Sequence, residues 1–208
     1  SEKLFFSDFR EFPLKVPVIN LKFGEINSPS LISLLEKNNI GCILLFGTSI
    51  IKNHILDLFK GKVINLHLGL SPYYKGSGTN FFPIVNNEFE CLGATFHIAT
   101  SEVDAGAIIH QIRLDQISVE DTIHSLGNNI ILRAGKLYPK VVKRYLNSEI
   151  KLFPQKIFDD CKVYRLKDFT PESLRKANKV LKGGGIKEFI KNKEIKQMSK
   201  PIISQKIE

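Results

Sequence analysis

Blocks of apolar residues alternate with polar stretches in the first third of the chain, and their spacing predicts a helix followed by a strand. Ser28 followed by Pro29 is typical of a helix start, and leucines at helical spacing continue this helix to about Asn38. The uninterrupted apolar run at 42–46 predicts a strand that is buried on both faces, as in a parallel sheet.

The alternation continues with a predicted helix over 49–59 and a predicted strand over 63–67. Strands that alternate with helices usually pair in parallel, through right-handed crossovers. The chain is therefore predicted to have an α/β fold with a mostly parallel sheet.

Beyond residue 67 the pattern predicts a long turn-rich loop, two strands joined by a short connection, and two further helices. Ser118 and Asp121 resemble a capping box before the first of these helices, and Thr170-Pro171 opens the second. The predicted elements are a loop over 69–78, a short helix over 80–86, strands over 91–100 and 107–113, and helices over 119–145 and 170–183.

The composition is that of an ordinary soluble protein, with 43% hydrophobic and 25% charged residues. No apolar run approaches the ~20 residues that a membrane-spanning helix needs, so no membrane partner is expected. The three cysteines, Cys42, Cys91 and Cys161, are far apart and form no C-x-x-C pair. This pattern favours reduced thiols in a cytoplasmic protein over disulfides or a zinc site, and no metal is expected.

The net charge of +9 is concentrated at the C-terminal end of the chain. Residues 1–150 carry 15 basic and 14 acidic side chains, whereas residues 151–208 carry 15 basic and 7 acidic side chains. We therefore predict a nearly neutral core domain at 1–150 and a basic C-terminal extension at 151–208. Such an extension can attract RNA or another anionic partner, although a solvated lysine-rich surface is the simpler interpretation.

Two polar residues stand out at the end of a predicted central strand. Asn65 and His67 are two positions apart, so their side chains point to the same face. Ligands of open α/β sheets bind beyond the carboxyl ends of the strands, which favours a functional pair. A strand end that emerges into solvent explains the same pattern equally well. Asp104 is followed by Ala105 and Gly106, and a lone carboxylate near a glycine is by itself typical of a turn.

The longer pattern around these residues resembles the folate-dependent formyltransferase family, which includes glycinamide ribonucleotide, methionyl-tRNA and amino-sugar formyltransferases. The resemblance covers roughly residues 16–146 and implies a Rossmann-like core. It rests on four segments in the same order and at similar separations: Asn65-Leu66-His67, Leu70-Ser71-Pro72-Tyr73-Tyr74-Lys75-Gly76, Gly93-Ala94-Thr95-Phe96-His97, and Val103-Asp104-Ala105-Gly106-Ala107-Ile108-Ile109.

The resemblance implies transfer of a formyl group from 10-formyltetrahydrofolate to a small-molecule amine. Asn65, His67 and Asp104 are the implied catalytic residues. Asn65 and a protonated His67 would donate hydrogen bonds to the negative oxygen of the tetrahedral intermediate. Asp104 would raise the pKa of His67 and accept the proton of the amine.

The resemblance also implies two sets of binding residues. Backbone groups of two loops would hold the folate, and the loop after the Asn-His strand would border the acceptor. His97 is expected to line the pocket, although a buried structural histidine is nearly as common. The expected folate-binding residues are Phe46, Gly47, Thr48, Ile50, Ala99, Thr100 and Glu102, and the expected acceptor-binding residues are Tyr73, Tyr74, Lys75, Gly76 and His97.

The chain departs from the family pattern at both ends. Only 15 residues precede the extended segment at 16–19, so the first βαβ portion of the fold is expected to be absent or shortened. Either the chain is a piece of a longer product, or the sheet is smaller than usual and an edge is covered in another way. The C-terminal 58 residues do not resemble the β-barrel of methionyl-tRNA formyltransferases. A nucleotide-linked amino sugar is therefore the first candidate acceptor, and a second copy of the chain is a candidate partner.

Two alternatives remain open at the level of the sequence. The first is a hydrolase that uses the same donor and lets water attack the formyl group. The second is a non-catalytic protein on the same scaffold that binds RNA or folate. Three retained polar groups argue against the second alternative.

Overall fold

The computed structural model describes residues 5–7, 17–156, 159 and 161–207. Residues 17–22 have no regular secondary structure, and Val16 of the predicted extended segment lies outside the described residues. The strands are β1 (Ile43–Phe46), β2 (Val63–His67), β3 (Tyr74–Gly76), β4 (Gly93–Ile98), β5 (Ile108–Arg113) and β6 (Lys162–Tyr164). The helices are α1 (Pro29–Lys37), α2 (Asn53–Leu58), α3 (Phe82–Val85), α4 (Ile123–Leu146), α5 (Pro171–Lys182), α6 (Gly185–Lys191) and α7 (Lys193–Ser199).

The central sheet has four strands in the order β1-β2-β4-β5, and it is mixed. The β1–β2 pair is parallel, whereas β2–β4 and β4–β5 are antiparallel. The α/β class is confirmed, but the prediction of a mostly parallel sheet is wrong. The connection over residues 99–107 is too short for a parallel crossover, so β5 returns antiparallel beside β4.

One face of β1 is open in the described part of the chain. Leu45 is buried, whereas Leu44 and Phe46 are each 49% exposed. The prediction that this strand is buried on both faces is therefore wrong. A continuous apolar run indicates that a strand can be buried on both faces. It does not tell whether another helix or strand packs against the second face.

Helix starts follow the capping residues closely. The Ser28 side chain accepts a hydrogen bond from Leu31 N at the start of α1, as predicted. Helix α4 begins later than predicted, at Ile123, because Thr122 and Ser125 form the reciprocal capping box. Asp121 instead accepts a hydrogen bond from Ser118 N in the preceding turn.

The residues after 150 pack onto the sheet and share its hydrophobic core. Ala177, Ile186, Phe189 and Ile207 are buried in one cluster with the side chains of β2, β4 and β5. The tail at 201–207 runs beside β5, where Gln111 N donates to Ile203 O at 2.7 Å. The domain boundary at residue 150 stays a prediction.

Two features of the described residues bear on membrane crossing and on disulfide bonds. Helix α4 is the longest helix, and neither it nor any other described helix combines the length and apolar character needed to cross a bilayer. None of Cys42, Cys91 and Cys161 forms a disulfide in the described part of the chain.

Candidate active site

Asn65 and His67 lie on β2, and the neighbouring strand β4 places a second histidine beside them. In the β2–β4 register Asn65 is paired with His97 and His67 with Thr95. Because paired residues of antiparallel strands project to the same face, His97 meets the Asn65 side chain. The Nδ2 atom of Asn65 lies 3.0 Å from His97 Nε2.

Asp104 reaches the same place from the loop between β4 and β5. Its backbone is left-handed, with φ of 48°. The Gln155 amide nitrogen donates to the backbone oxygens of both Asp104 and Gly106, each at 2.8 Å. A Cβ atom at Gly106 would lie 1.7 Å from Ile98 O, so only glycine allows the loop to fold back this tightly.

Four polar groups surround the Asp104 carboxylate, which is 10% exposed. Oδ2 accepts from Gly76 N at 2.9 Å and lies 3.2 Å from His67 Nδ1. Oδ1 accepts from Asn65 Nδ2 at 3.3 Å and lies 3.4 Å from His97 Nε2. The structure thus brings together the three predicted catalytic residues and adds His97 to them.

The pKa of Asp104 is lowered even though the carboxyl is buried. Burial acts to raise this pKa, but the hydrogen bond from His97, the charge of His67 and the Gly76 N–H together outweigh burial. The carboxylate is therefore ionised at neutral pH and is available as a proton acceptor.

The pKa of His67 is lowered as well. Burial is the largest cause, and it outweighs the opposing attraction of Asp104 and the hydrogen bond to Tyr74 O. Asp104 acts to raise the pKa of His67, as expected, but burial of the strand end outweighs it, so the resting ring is neutral and not protonated as expected. The Nε2 atom of His67 lies 2.9 Å from Tyr74 O, so this nitrogen carries the hydrogen of the neutral ring.

The cluster lies in a cavity of about 790 Å³, a size typical of small-molecule sites. Its walls include two loops of the sheet, at 45–51 and 99–104. The structure places every predicted folate-binding residue in this lining, namely Phe46, Gly47, Thr48, Ile50, Ala99, Thr100 and Glu102.

The predicted acceptor-binding residues divide into two groups. Gly76 and His97 line the cavity, whereas Tyr73, Tyr74 and Lys75 are absent from its lining. Tyr73 is buried with its hydroxyl donating to Pro201 O at 2.9 Å, and Tyr74 is buried in β3 with its ring stacked on that of Tyr164. For these tyrosines the prediction is wrong as to position, because their side chains are buried and only Gly76 of the segment 73–76 lines the cavity.

Several cavity residues were missed by the sequence analysis. Ile123 and Gly127 of α4 line the cavity, and so do residues 77–81 and 163–166. The segment 163–166 comes from beyond residue 150, where the periodicity is weak. The basic character of Arg165 is the only signal it carries, and the same signal occurs throughout the extension.

Asn65, His67, His97 and Asp104 lie in a part of the chain that matches a known protein family. The sequence profile of the family described as Formyl transferase matches residues 25–142, which is more than half of the chain. The chain belongs to this formyl transferase family. The matched region contains all four clustered residues and the two loops at 45–51 and 99–104.

Relatives within the formyl transferase family differ in size from this chain. A methionyl-tRNA formyltransferase from Finegoldia magna is 28% identical over 156 residues, which cover 74% of this chain and 46% of that protein. The chain therefore spans less than half the length of this curated relative.

Two solved structures of family members are similar in fold and sequence. The formyltransferase PseJ from Anoxybacillus kamchatkensis has a TM-score of 0.61 and 26% identity, covering 80% of each chain. The N-formyltransferase from Helicobacter canadensis has a TM-score of 0.53 and 31% identity, covering 61% of this chain and 45% of that protein.

Proposed function

We propose that this chain transfers the formyl group of 10-formyltetrahydrofolate to the primary amine of a nucleotide-linked amino sugar. The observation that carries the proposal is an ionised Asp104, held among Asn65, His67 and His97 at a small-molecule cavity of a formyl transferase family member. The proposal includes a cytoplasmic setting.

The complexes of the two solved relatives support this choice of substrates. PseJ was crystallised with UDP-4,6-dideoxy-4-formamido-L-AltNAc and tetrahydrofolate. The Helicobacter canadensis enzyme was crystallised with folinic acid and dTDP-3-aminofucose. Both complexes pair a folate with a nucleotide-linked sugar.

The reaction begins with attack of the neutral amine on the formyl carbon, and Asp104 accepts the proton that the amine loses. The lone pair of a neutral His67 Nδ1 faces Asp104 Oδ2 at 3.2 Å. A proton that Asp104 accepts can lie between Oδ2 and this nitrogen, which accepts a hydrogen bond from it. His67 therefore stabilises the transferred proton and does not donate to the oxyanion, since its Nε2 hydrogen is directed at Tyr74 O.

Asn65 is the donor for the negative oxygen of the tetrahedral intermediate. In the resting site its Nδ2 atom contacts both His97 Nε2, at 3.0 Å, and Asp104 Oδ1, at 3.3 Å. The 3.3 Å hydrogen bond from Asn65 to Asp104 weakens when Asp104 gains a proton. The Asn65 N–H that made this bond is then the one that donates to the oxyanion. Collapse of the intermediate then breaks the bond to N10 of the folate, which takes the proton.

The test follows the absorbance of 10-formyltetrahydrofolate with and without UDP- and dTDP-linked amino sugars. We expect acceptor-dependent turnover, and we expect Asp104→Asn to lower kcat by roughly 10²-fold or more. Asp57→Asn is the matched control, since Asp57 is exposed on α2 and is not part of the cavity lining.

Formate release that does not depend on an acceptor would instead identify a hydrolase. Full activity of Asp104→Asn would refute the mechanism.

A further inference from the structure

One wall of the cavity comes from a segment that lies outside the matched family region. Residues 163–166 line the cavity, whereas the family profile ends at residue 142. They are brought there by β6, which pairs in parallel with β3 so that Val163 is opposite Lys75 and Tyr164 is opposite Gly76. Strand β3 therefore has two contacts with the site: Gly76 N donates to Asp104, and the pairing with β6 holds the wall at 163–166 in place.

Aromatic and ionic contacts fix the position of β6. The Tyr164 ring stacks on Phe82 with centroids 3.7 Å apart and planes within 4°. Its hydroxyl accepts from the Asn86 amide at 2.8 Å. Lys162 Nζ lies 2.7 Å and 2.8 Å from the two carboxylate oxygens of Glu88. Because these contacts hold Lys162 and Tyr164, they also position the backbone of the next residue, Arg165.

Arg165 is distinctive by its charge. It is the only lysine or arginine among the described residues that line the cavity, and the carboxylates in that lining are Glu102 and Asp104. No carboxylate in the described part of the chain is within ion-pair distance of its guanidinium. Its own backbone N–H donates to Asp168 Oδ2 at 2.7 Å, which fixes the turn and leaves the side chain exposed.

Exposed apolar side chains flank Arg165 on the same wall. Val163 is 62% exposed and Leu166 is 81% exposed, although both line the cavity. A cation between two apolar groups suits a ligand that carries phosphates between two rings, as a nucleotide-linked sugar does. Arginine matches phosphate oxygens with two parallel N–H donors.

We propose that Arg165 binds the diphosphate of the nucleotide-linked acceptor, with Val163 and Leu166 against its rings, and so determines which amines are formylated. This inference rests on the proposed function, and it assigns acceptor recognition to the extension at 151–208. The glutamate carboxylates of the folate are the other anions that such a guanidinium could bind.

The experiment compares Arg165→Ala and Arg165→Lys with wild-type protein and with Lys167→Ala. Lys167 is a matched control because it is exposed, lies two residues away and does not line the cavity. We expect Arg165→Ala to raise the acceptor KM roughly 10- to 100-fold, to leave kcat and the donor KM within about threefold, and to abolish inhibition by UDP or dTDP. The acceptor KM of Arg165→Lys should lie between those of wild-type protein and Arg165→Ala, since lysine keeps the charge and loses the paired donors.

Each contrary result has a definite meaning. An unchanged acceptor KM, or an equal rise in Lys167→Ala, would overturn the inference. A rise confined to the donor KM would also overturn it, because the guanidinium would then contact the folate.

Calorimetric binding of UDP and dTDP separates this inference from the proposed function, since binding requires no turnover. Nucleotide binding by wild-type protein that is lost in Arg165→Ala would support the inference even if no formyl transfer were observed. A wild-type protein that binds neither nucleotide would overturn it.

Discussion

Asp104 shows how a buried residue can remain charged. Its carboxylate loses water on burial, but the donors Gly76 N and Asn65 Nδ2 and the two histidine rings replace that water with fixed polar groups. Such donors need no rearrangement when the charge is used, which is the usual advantage of a preorganised site. The left-handed backbone at Asp104 and the close approach of Gly106 to Ile98 O are the local costs of this arrangement.

His110 predicts a pH dependence of stability that is separate from catalysis. Its pKa is lowered to about 4, mainly by burial and also by the charge of Arg133, and its Nδ1 atom accepts from Gln205 N at 3.0 Å. The unfolded chain binds a proton near pH 6.5, so the contribution of His110 is fully present above that value and is lost as the pH falls toward 4.

We expect His110→Gln to reduce this pH dependence, because glutamine accepts the same hydrogen bond without titrating. Between pH 7.5 and pH 5 the wild-type protein should lose about 1–2 kcal/mol more unfolding free energy than the variant. Urea unfolding at both pH values measures the difference. Equal losses in the two proteins would show that His110 does not titrate in this way.

At the scale of elements, the C-terminal tail closes the free edge of β5. Gln111 and Ile203 exchange hydrogen bonds, since Gln111 N donates to Ile203 O and Ile203 N donates to the Gln111 side chain at 2.9 Å. Ile207 is then buried in the main core. The tail therefore acts as part of the folded unit.

Truncation of Ile207 tests this role. We expect Ile207→Ala to lower the unfolding free energy by about 2–5 kcal/mol, because its side chain is buried in the main core. Ile195→Ala is the matched control, since Ile195 is 74% exposed, and it should change stability by less than about 0.5 kcal/mol. Similar values for the two variants, measured by chemical unfolding, would mean that the tail is not tightly packed.

The sequence predicted the elements whose signals are local. Helix α1 follows from Ser28 and Pro29, and β2 follows from an apolar strand that ends in Asn65 and His67. The pairing of β3 with β6 could not be predicted, because both strands have three residues and their partners are almost 90 positions apart. The pKa of His67 was likewise out of reach, since it depends on burial by elements from other parts of the chain.

At the scale of the whole molecule, the cavity couples ligand binding to stability. A ligand that binds only the folded chain, at about 100 times its Kd, adds about 2.7 kcal/mol. For a chain of this size we expect saturating folinic acid to raise Tm by about 5–10 °C. Thermal unfolding of wild-type protein and of Arg165→Ala should show the same shift, because the folate loops do not include Arg165. The absence of any shift would count against a folate site in this cavity.

The cavity is assembled from two separate lengths of chain. The catalytic cluster and the loops at 45–51 and 99–104 lie inside the family region, whereas the wall at 163–166 lies beyond it. Because that wall does not include Asp104, substitutions there leave the proposed proton acceptor in place. A library confined to these few codons would therefore be a compact starting point for directing this scaffold toward new amines.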